Sequence, residues 1–176
     1  MKEINRHDAF ELASPYPYTL AVTMDQRDRP NIIGLSWWTF TSWNPLMIAI
    51  SVGHKRFSHE CLKHHNEFVL CFPSEEQAKD AWFCGRKSGR ELDKFQHTAF
   101  KPVHSRVVKP PMIDDVTVAY ECRIVNHIDT GDHTLFIADV VAIHGEPEKT
   151  RHLYSIHYTR LISLDCKGNI TQDLKY

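Results

Sequence analysis

No run of this sequence approaches the roughly 20 consecutive apolar residues that a membrane helix needs. The opening "MKEINRHDAF" also has no apolar core of the kind a secretory leader carries. Charge of one sign is equally lacking. Lys and Arg number 21 against 22 Asp and Glu, so no net field favours nucleic acid or an anionic membrane. Cysteine occurs five times but never as CxxC, and an odd count without a leader fits free thiols in a reducing compartment better than a disulfide framework. There is no Walker loop, no obvious catalytic triad, no internal repeat and no linker. The 12 histidines raise the question of a metal. His59, His64 and His65 crowd one predicted helix and His152 and His157 lie close in sequence, but no HExxH-like pair with a nearby acid exists. The expectation is one cytoplasmic domain spanning residues 1–176, without metal, nucleic acid or membrane.

What is present is mostly β signal. "TLAVTM" (19–24), "NIIGLSWWTF" (31–40), "LMIAISV" (46–52) and "EFVLCF" (67–72) read as strands, with Asn44-Pro45 as a turn. The longest pair is "VTVAYECRIVNHI" and "HTLFIADVVAI", joined across "DTGD", where Gly131 easily adopts positive φ. In its first arm Val116, Val118, Tyr120, Cys122 and Ile124 alternate with Thr117, Glu121 and Arg123, the period of a half-buried strand. "RLISL" is a further strand candidate near the C-terminus. Helices are short: "FSHECLKHH", "SEEQAKDAWF" with Ser74 and Gln77 spaced as a capping box, and a turn at "SGRELDKF". Many short antiparallel strands with a few small helices predict an all-β core with short helical insertions, a Greek-key barrel. Such a barrel is filled by its own side chains, so a sizeable ligand binds outside it, in a groove that a homodimer would naturally supply.

The segment from Asn31 to Glu60 concentrates the unusual chemistry. Ser51 ends a strand, Gly53 permits a turn, and Lys55 and Arg56 precede a helix that begins near Ser58. A helix N-terminus offers unpaired N–H groups, and a Lys, an Arg and a hydroxyl beside it suit a terminal phosphate. A second reading makes Ser58 an N-cap and leaves the two cations solvated. Trp37 and Trp38 are neighbours on a strand and must face opposite ways. One of them is available, with Ser36, Thr39, Thr41 and Ser42, to line a flat heteroaromatic ligand; the alternative is a tryptophan-rich core with exposed hydroxyls.

Taken together, "PNIIGLSWWTFTSWNP", "SVGHKRFSHE", "EFVLCFP", "CGRKSGRELDKF" and "GDHTLFIADVV" resemble, in order and spacing, the flavin reductase-like family of FMN-binding split barrels, flavoredoxin type. The resemblance covers about Ala13 to Ile143. It implies a split β-barrel with FMN as cofactor and NADH or NADPH as electron donor. It implies Asn31, Ser36, Trp37 and Thr39 along the flavin ring, and Ser58 on the phosphate with Ser51, Lys55 and Arg56 nearby. Lys94 and His133 are implied near the flavin, His133 as a proton relay or a simple hydrogen-bond partner. Two loops depart from the pattern: "DQRDRPN" lacks the expected turn glycine, and Asn44-Pro45-Leu46 replaces a Pro-Pro. Three functions follow as expectations: an NAD(P)H-dependent flavin reductase passing electrons to a small-molecule or protein acceptor, an electron carrier with tightly held FMN, or a non-enzymatic haem- or nucleotide-binding barrel. No CxxCH supports the haem.

Overall fold

The structure, a computed structural model, describes residues 1–175. The chain runs through α1 (Arg6–Leu12), β1 (Tyr16–Pro17), β2 (Thr19–Met24), β3 (Pro30–Leu35), β4 (Trp38–Trp43), β5 (Leu46–Gly53), α2 (Phe57–His65) and β6 (Glu67–Phe72). It continues through α3 (Ala78–Arg86), the two-residue strands β7 (Pro102–Val103) and β8 (Met112–Ile113), then β9 (Val118–Thr130) and β10 (His133–Gly145). It closes with β11 (His152–Ile156), β12 (Arg160–Leu164) and β13 (Ile170–Lys175).

Seven strands form an antiparallel sheet in the order β3-β2-β6-β9-β10-β5-β4. Its two edge strands, β3 and β4, are consecutive in the chain and joined only by Ser36 and Trp37. The three Cα steps from Leu35 to Trp38 span at most roughly 10–11 Å, so the two edges must come together at that point. The sheet therefore curls into a barrel with a split, the architecture expected from the sequence. The expected strand over 31–40 is corrected here: it breaks at Ser36-Trp37 and its halves occupy opposite edges of the sheet. The residues expected to form a loop at Thr41–Trp43 are the end of β4.

β2 is buried along its whole length because both its faces are covered. Leu20 and Val22 join one apolar cluster with Trp82, Val69 and Leu161, while Ala21 joins another with Ile48, Ile50, Phe68, Leu70 and Phe136. The strand period of two deals alternate side chains to the two cores. The first core lies between the barrel, α3 and a second, four-stranded sheet in the order β1-β11-β12-β13. Only β12 of that sheet was anticipated.

β9 also differs from expectation, since Glu121 is fully buried and not on a solvated face. Its carboxylate accepts the backbone N–H groups of Arg106, Val107 and Val108 at 2.7, 2.6 and 3.0 Å, and His144 Nε2 lies at 2.7 Å. Burial alone would raise its pKa, but these donors more than reverse that and hold it below the usual glutamate value. The 104–110 loop is thus pinned onto the barrel by one carboxylate.

The predicted helices form with small shifts. Gln77 Oε1 accepts Ser74 N–H at 3.0 Å, the return half of a capping box, and the first turn is 3-10 before α3 begins. Asn66 ends α2 at φ 55, the left-handed position that Asn tolerates. In "DQRDRPN", Asp28 adopts φ 60 in place of the missing glycine.

Candidate functional site

The break between β3 and β4 opens onto a cleft of about 360 Å³, within the range typical of small-molecule sites. Ser36 and Trp37 come from the break itself, Ser51 and Gly53 from the end of β5, and His133 from the start of β10. Tyr18, Trp82, Ser155 and Tyr158 complete the wall from the second core and the second sheet. Trp37 and Trp38 part as the strand period requires. Trp37 faces the cleft, while Trp38 packs edge-on against Phe40 and Phe72 at 5.5 and 4.9 Å.

Trp37 is held in an aromatic ladder. Its ring lies 4.8 Å from that of His133 and stacks on Phe10 of α1 at 5.8 Å, and its indole N–H donates to Tyr158 Oη at 2.7 Å. His133 Nδ1 lies 2.7 Å from Asp132 Oδ1. When Nδ1–H donates there, Nε2 is left toward Gly53, where a Cβ would come within 3.3 Å of it.

The floor depends on two glycines. A Cβ on Gly34 would stand 2.0 Å from Tyr18 Oη, and one on Gly85 would stand 2.2 Å from the same atom. Their absence lets Tyr18 pass between β3 and α3 and donate to Ala81 O at 3.1 Å.

Arg56, Arg86, Ile33 and Gly85 line both this cleft and an adjoining basic pocket built from Asn31, Lys55, Ser58, Lys87, Gly89 and Lys94. Among the described residues, none of Lys55, Arg56, Arg86, Lys87 and Lys94 forms an ion pair with a carboxylate, whereas most other arginines do. Five cations without a counter-charge around one groove make a site for an anion.

Ser58 is not an N-cap. Arg56 holds that position, without a side-chain bond, and Ser58 is buried in the first turn of α2, where its Oγ accepts Asn31 Nδ2–H at 2.7 Å. Asn31 also reaches Thr23 Oγ1 at 3.2 Å, and its own Oδ1 is buried without a partner beside Gly89.

Lys94 is buried, and its ammonium donates to Ile32 O at 2.5 Å and Cys84 O at 2.6 Å. These acceptors are an edge-strand carbonyl of β3 and a last-turn carbonyl of α3, two groups that regular structure leaves unpaired. Burial, with Arg56 adding to it and Cys84 opposing it, brings the Lys94 pKa down to about 8. An ammonium has three N–H donors, so one stays available to the pocket.

The structure thus gathers Asn31, Lys55, Arg56, Ser58 and Lys94 in the basic pocket, and Ser36, Trp37, Ser51, Arg56 and His133 in the cleft. Thr39 is the exception: it is exposed on β4, donates to Phe40 O at 3.1 Å and lines neither space. Arg86, Tyr18, Ser155 and Tyr158 were not foreseen. Arg86 stood in the quoted "CGRKSGR", but nothing local marks the other three. Cys84 is buried beside the groove, and burial pushes its thiol up to about 12, which leaves it inert at neutral pH.

A flavin mononucleotide fits what is there: an orphaned buried carbonyl at Asn31 and hydroxyl at Ser36, a glycine-lined floor, an aromatic wall and a cationic pocket one step away. Fold and groove together define a split-barrel protein of the flavin-handling redox class. Residues 12–161 match the flavin reductase like domain, and the chain belongs to that family.

An uncharacterized protein of Archaeoglobus fulgidus is 33% identical over 135 residues, 76% of each chain. Among solved structures, an FMN-binding protein from Thermus thermophilus with bound p-hydroxybenzaldehyde superposes with a TM-score of 0.79 at 24% identity, covering 89% of this chain and 90% of that one. The flavoredoxin of Desulfovibrio vulgaris (Miyazaki F) superposes at 0.76 and 23% identity, covering 100% and 94%.

Proposed function

We propose that the chain binds FMN with its phosphate in the basic pocket and its ring in the cleft, and that it is an NAD(P)H-dependent flavin reductase. The observation that carries this reading is the continuity of the two spaces through Arg56 and Arg86, which joins a cation-rich pocket to an aromatic wall. The Thermus protein, an FMN-binding protein, and the Desulfovibrio flavoredoxin support the flavin part of this reading. The flavin, when bound, supplies hydride chemistry between a reduced nicotinamide and an acceptor.

The protein's part is to bind, orient and balance charge. Lys55 brings a point charge and Arg56 a planar fork, and the first turn of α2 adds unpaired N–H groups to the same pocket. Ser58 Oγ–H is free to donate because its oxygen already accepts from Asn31. The spare N–H of Lys94 stabilises negative charge on the ligand. Trp37 contributes to the aromatic wall, and His133, steadied by Asp132, holds or releases a proton at Nε2.

The same reading makes the chain a homodimer working in the cytoplasm as one unit over 1–176. The edge strand β4 leaves Trp43 90% exposed and Phe40 exposed beside it, and four buried free thiols suit a reducing compartment. Anaerobic stopped-flow reduction of the FMN-loaded protein tests the activity. Bleaching within seconds by NADH or NADPH is expected. Bleaching over minutes at millimolar nicotinamide refutes the reductase and leaves an electron carrier reduced by a partner protein.

A further inference from the structure

Most of the buried Ser and Thr hydroxyls among the described residues reach a partner. Thr19 donates to Leu35 O at 3.1 Å, Thr134 to Asp129 Oδ1 at 2.6 Å, and Ser163 Oγ accepts from Thr171 at 3.1 Å. Ser155 does not. It sits on β11 between β1 and β12, opposite Tyr16 and Leu161, with 1% of its surface exposed. Its Oγ has no partner among the described residues, and it lines the cleft. The other orphaned hydroxyl on that wall is Ser36 Oγ, which comes from the break between β3 and β4 of the barrel, while Ser155 comes from the four-stranded sheet. The remaining orphaned side-chain atoms, on Trp38, Ser74 and Gln172, are not on the cleft wall, and Asn31 Oδ1 belongs to the basic pocket.

An unpaired buried hydroxyl destabilises a fold relative to an apolar replacement. Two of them on a single aromatic-walled cleft, one from the barrel's break and one from the second sheet, match a ligand that brings its own hydrogen-bonding groups. A hydroxyl both donates and accepts, so a pair of them suits an amide, which offers a C=O and an N–H side by side. The aromatic wall of Trp37, Tyr18 and Trp82 favours an amide carried on a planar ring.

We infer that Ser155 is a ligand-positioning residue which, with Ser36, hydrogen-bonds the amide edge of a planar ring held between the two sheets. The inference rests on the flavin reductase reading, and within it two sources offer that chemistry: the imide edge of the flavin ring and the carboxamide of a nicotinamide.

The test compares wild type with Ser155→Ala, and uses Ser163→Ala as a partnered hydroxyl of the same sheet. Melting of the ligand-free proteins comes first. Ser155→Ala is expected to melt at the wild-type temperature or about 2–4 °C higher, because it removes an unsatisfied group. Ser163→Ala is expected to melt lower. A fall in the Ser155→Ala melting temperature shows the hydroxyl bonded within the fold and overturns the inference.

Binding of lumiflavin, the flavin ring without its phosphate chain, is then measured by fluorescence quenching, and KM for NADH and NADPH at saturating FMN. A loss of about 10-fold in lumiflavin affinity assigns Ser155 to the flavin edge. A rise of about 10-fold in nicotinamide KM with lumiflavin affinity unchanged assigns it to the carboxamide. No change in either overturns the inference while leaving the flavin reading intact. A wild type that binds neither FMN nor lumiflavin overturns the flavin reading itself, and Ser155's role falls with it.

Discussion

Gly34→Ala is the sharpest small change the structure offers. The added methyl would sit 2.0 Å from Tyr18 Oη, 2.7 Å from Tyr18 Cζ and 3.0 Å from the Cα of Gly85. The first two contacts are with a ring wedged in the core, and the third is with helix backbone, so none yields by a simple rotamer change. Tyr18 must move off Ala81 O, losing its 3.1 Å bond, or α3 must draw away from β3. Overpacking contributes about 1–3 kcal/mol and the broken buried hydrogen bond about 1–3 kcal/mol. Their sum, about 2–4 kcal/mol after partial relaxation, lowers the melting temperature by roughly 5–15 °C in a chain of this size.

The assay is urea and thermal unfolding of wild type, Gly34→Ala, Tyr18→Phe and the double variant. Tyr18→Phe alone removes the hydroxyl and destabilises by about 1 kcal/mol. In the double variant the closest clash is gone, so the two changes couple, and the sum of the single effects exceeds the measured one by more than about 1 kcal/mol. Additive effects, or a Gly34→Ala protein as stable as wild type, would refute the close approach of β3, Tyr18 and α3.

Three further outcomes follow from the buried charges. Glu121→Gln keeps the shape but removes the anion that three backbone N–H groups and His144 face, and it destabilises by about 2–4 kcal/mol in urea unfolding at neutral pH. Because the folded Glu121 pKa is depressed, its stabilisation is complete above the ordinary glutamate pKa and is lost as pH falls through the lower folded value. Wild type therefore shows an acid limb there that the Gln variant lacks. Lys94 behaves in the opposite direction. Folded Lys94 releases its proton near pH 8 while the unfolded side chain holds it to about 10.5, so its contribution to stability rises with pH through that interval. Between pH 7 and 9 the unfolding free energy of wild type relative to Lys94→Met should grow by about 1 kcal/mol. Buried thiols lower both curves alike in alkali and cancel in the difference, and a flat difference would place the ammonium in solvent.

Most of the barrel was legible in the sequence because its strands carry strong period-two patterns between clear turn residues. Leu46–Gly53, Glu67–Phe72 and the long β9–β10 hairpin fall where the pattern put them. The split between β3 and β4 was not legible. Ser36 and Trp37 are compatible with a strand, and only closure of the barrel forces the chain from one edge to the other. Glu121 was hidden for a related reason: its alternation with apolar neighbours signals a solvated face, and the loop that covers it lies well upstream in the chain. At the site, the basic turn and Ser58 were visible because they are local, four residues leading into a helix. Ser155 and Tyr158 were not, since they reach the cleft from β11 and the turn that follows it, and "HLYSI" shows no clear period-two alternation. Thr39 lies outside both spaces because the strand that carries it begins anew at Trp38, beyond the break.

The central claim is that the basic pocket holds a phosphate while the cleft holds the ring. Titrating wild type with FMN and with riboflavin, which lacks the phosphate, tests it most directly. FMN should bind at least about 100-fold more tightly, through two or more charge-assisted hydrogen bonds. That advantage should shrink in Arg56→Ala and as salt is raised. Equal affinity for the two, unchanged in Arg56→Ala, would contradict the account.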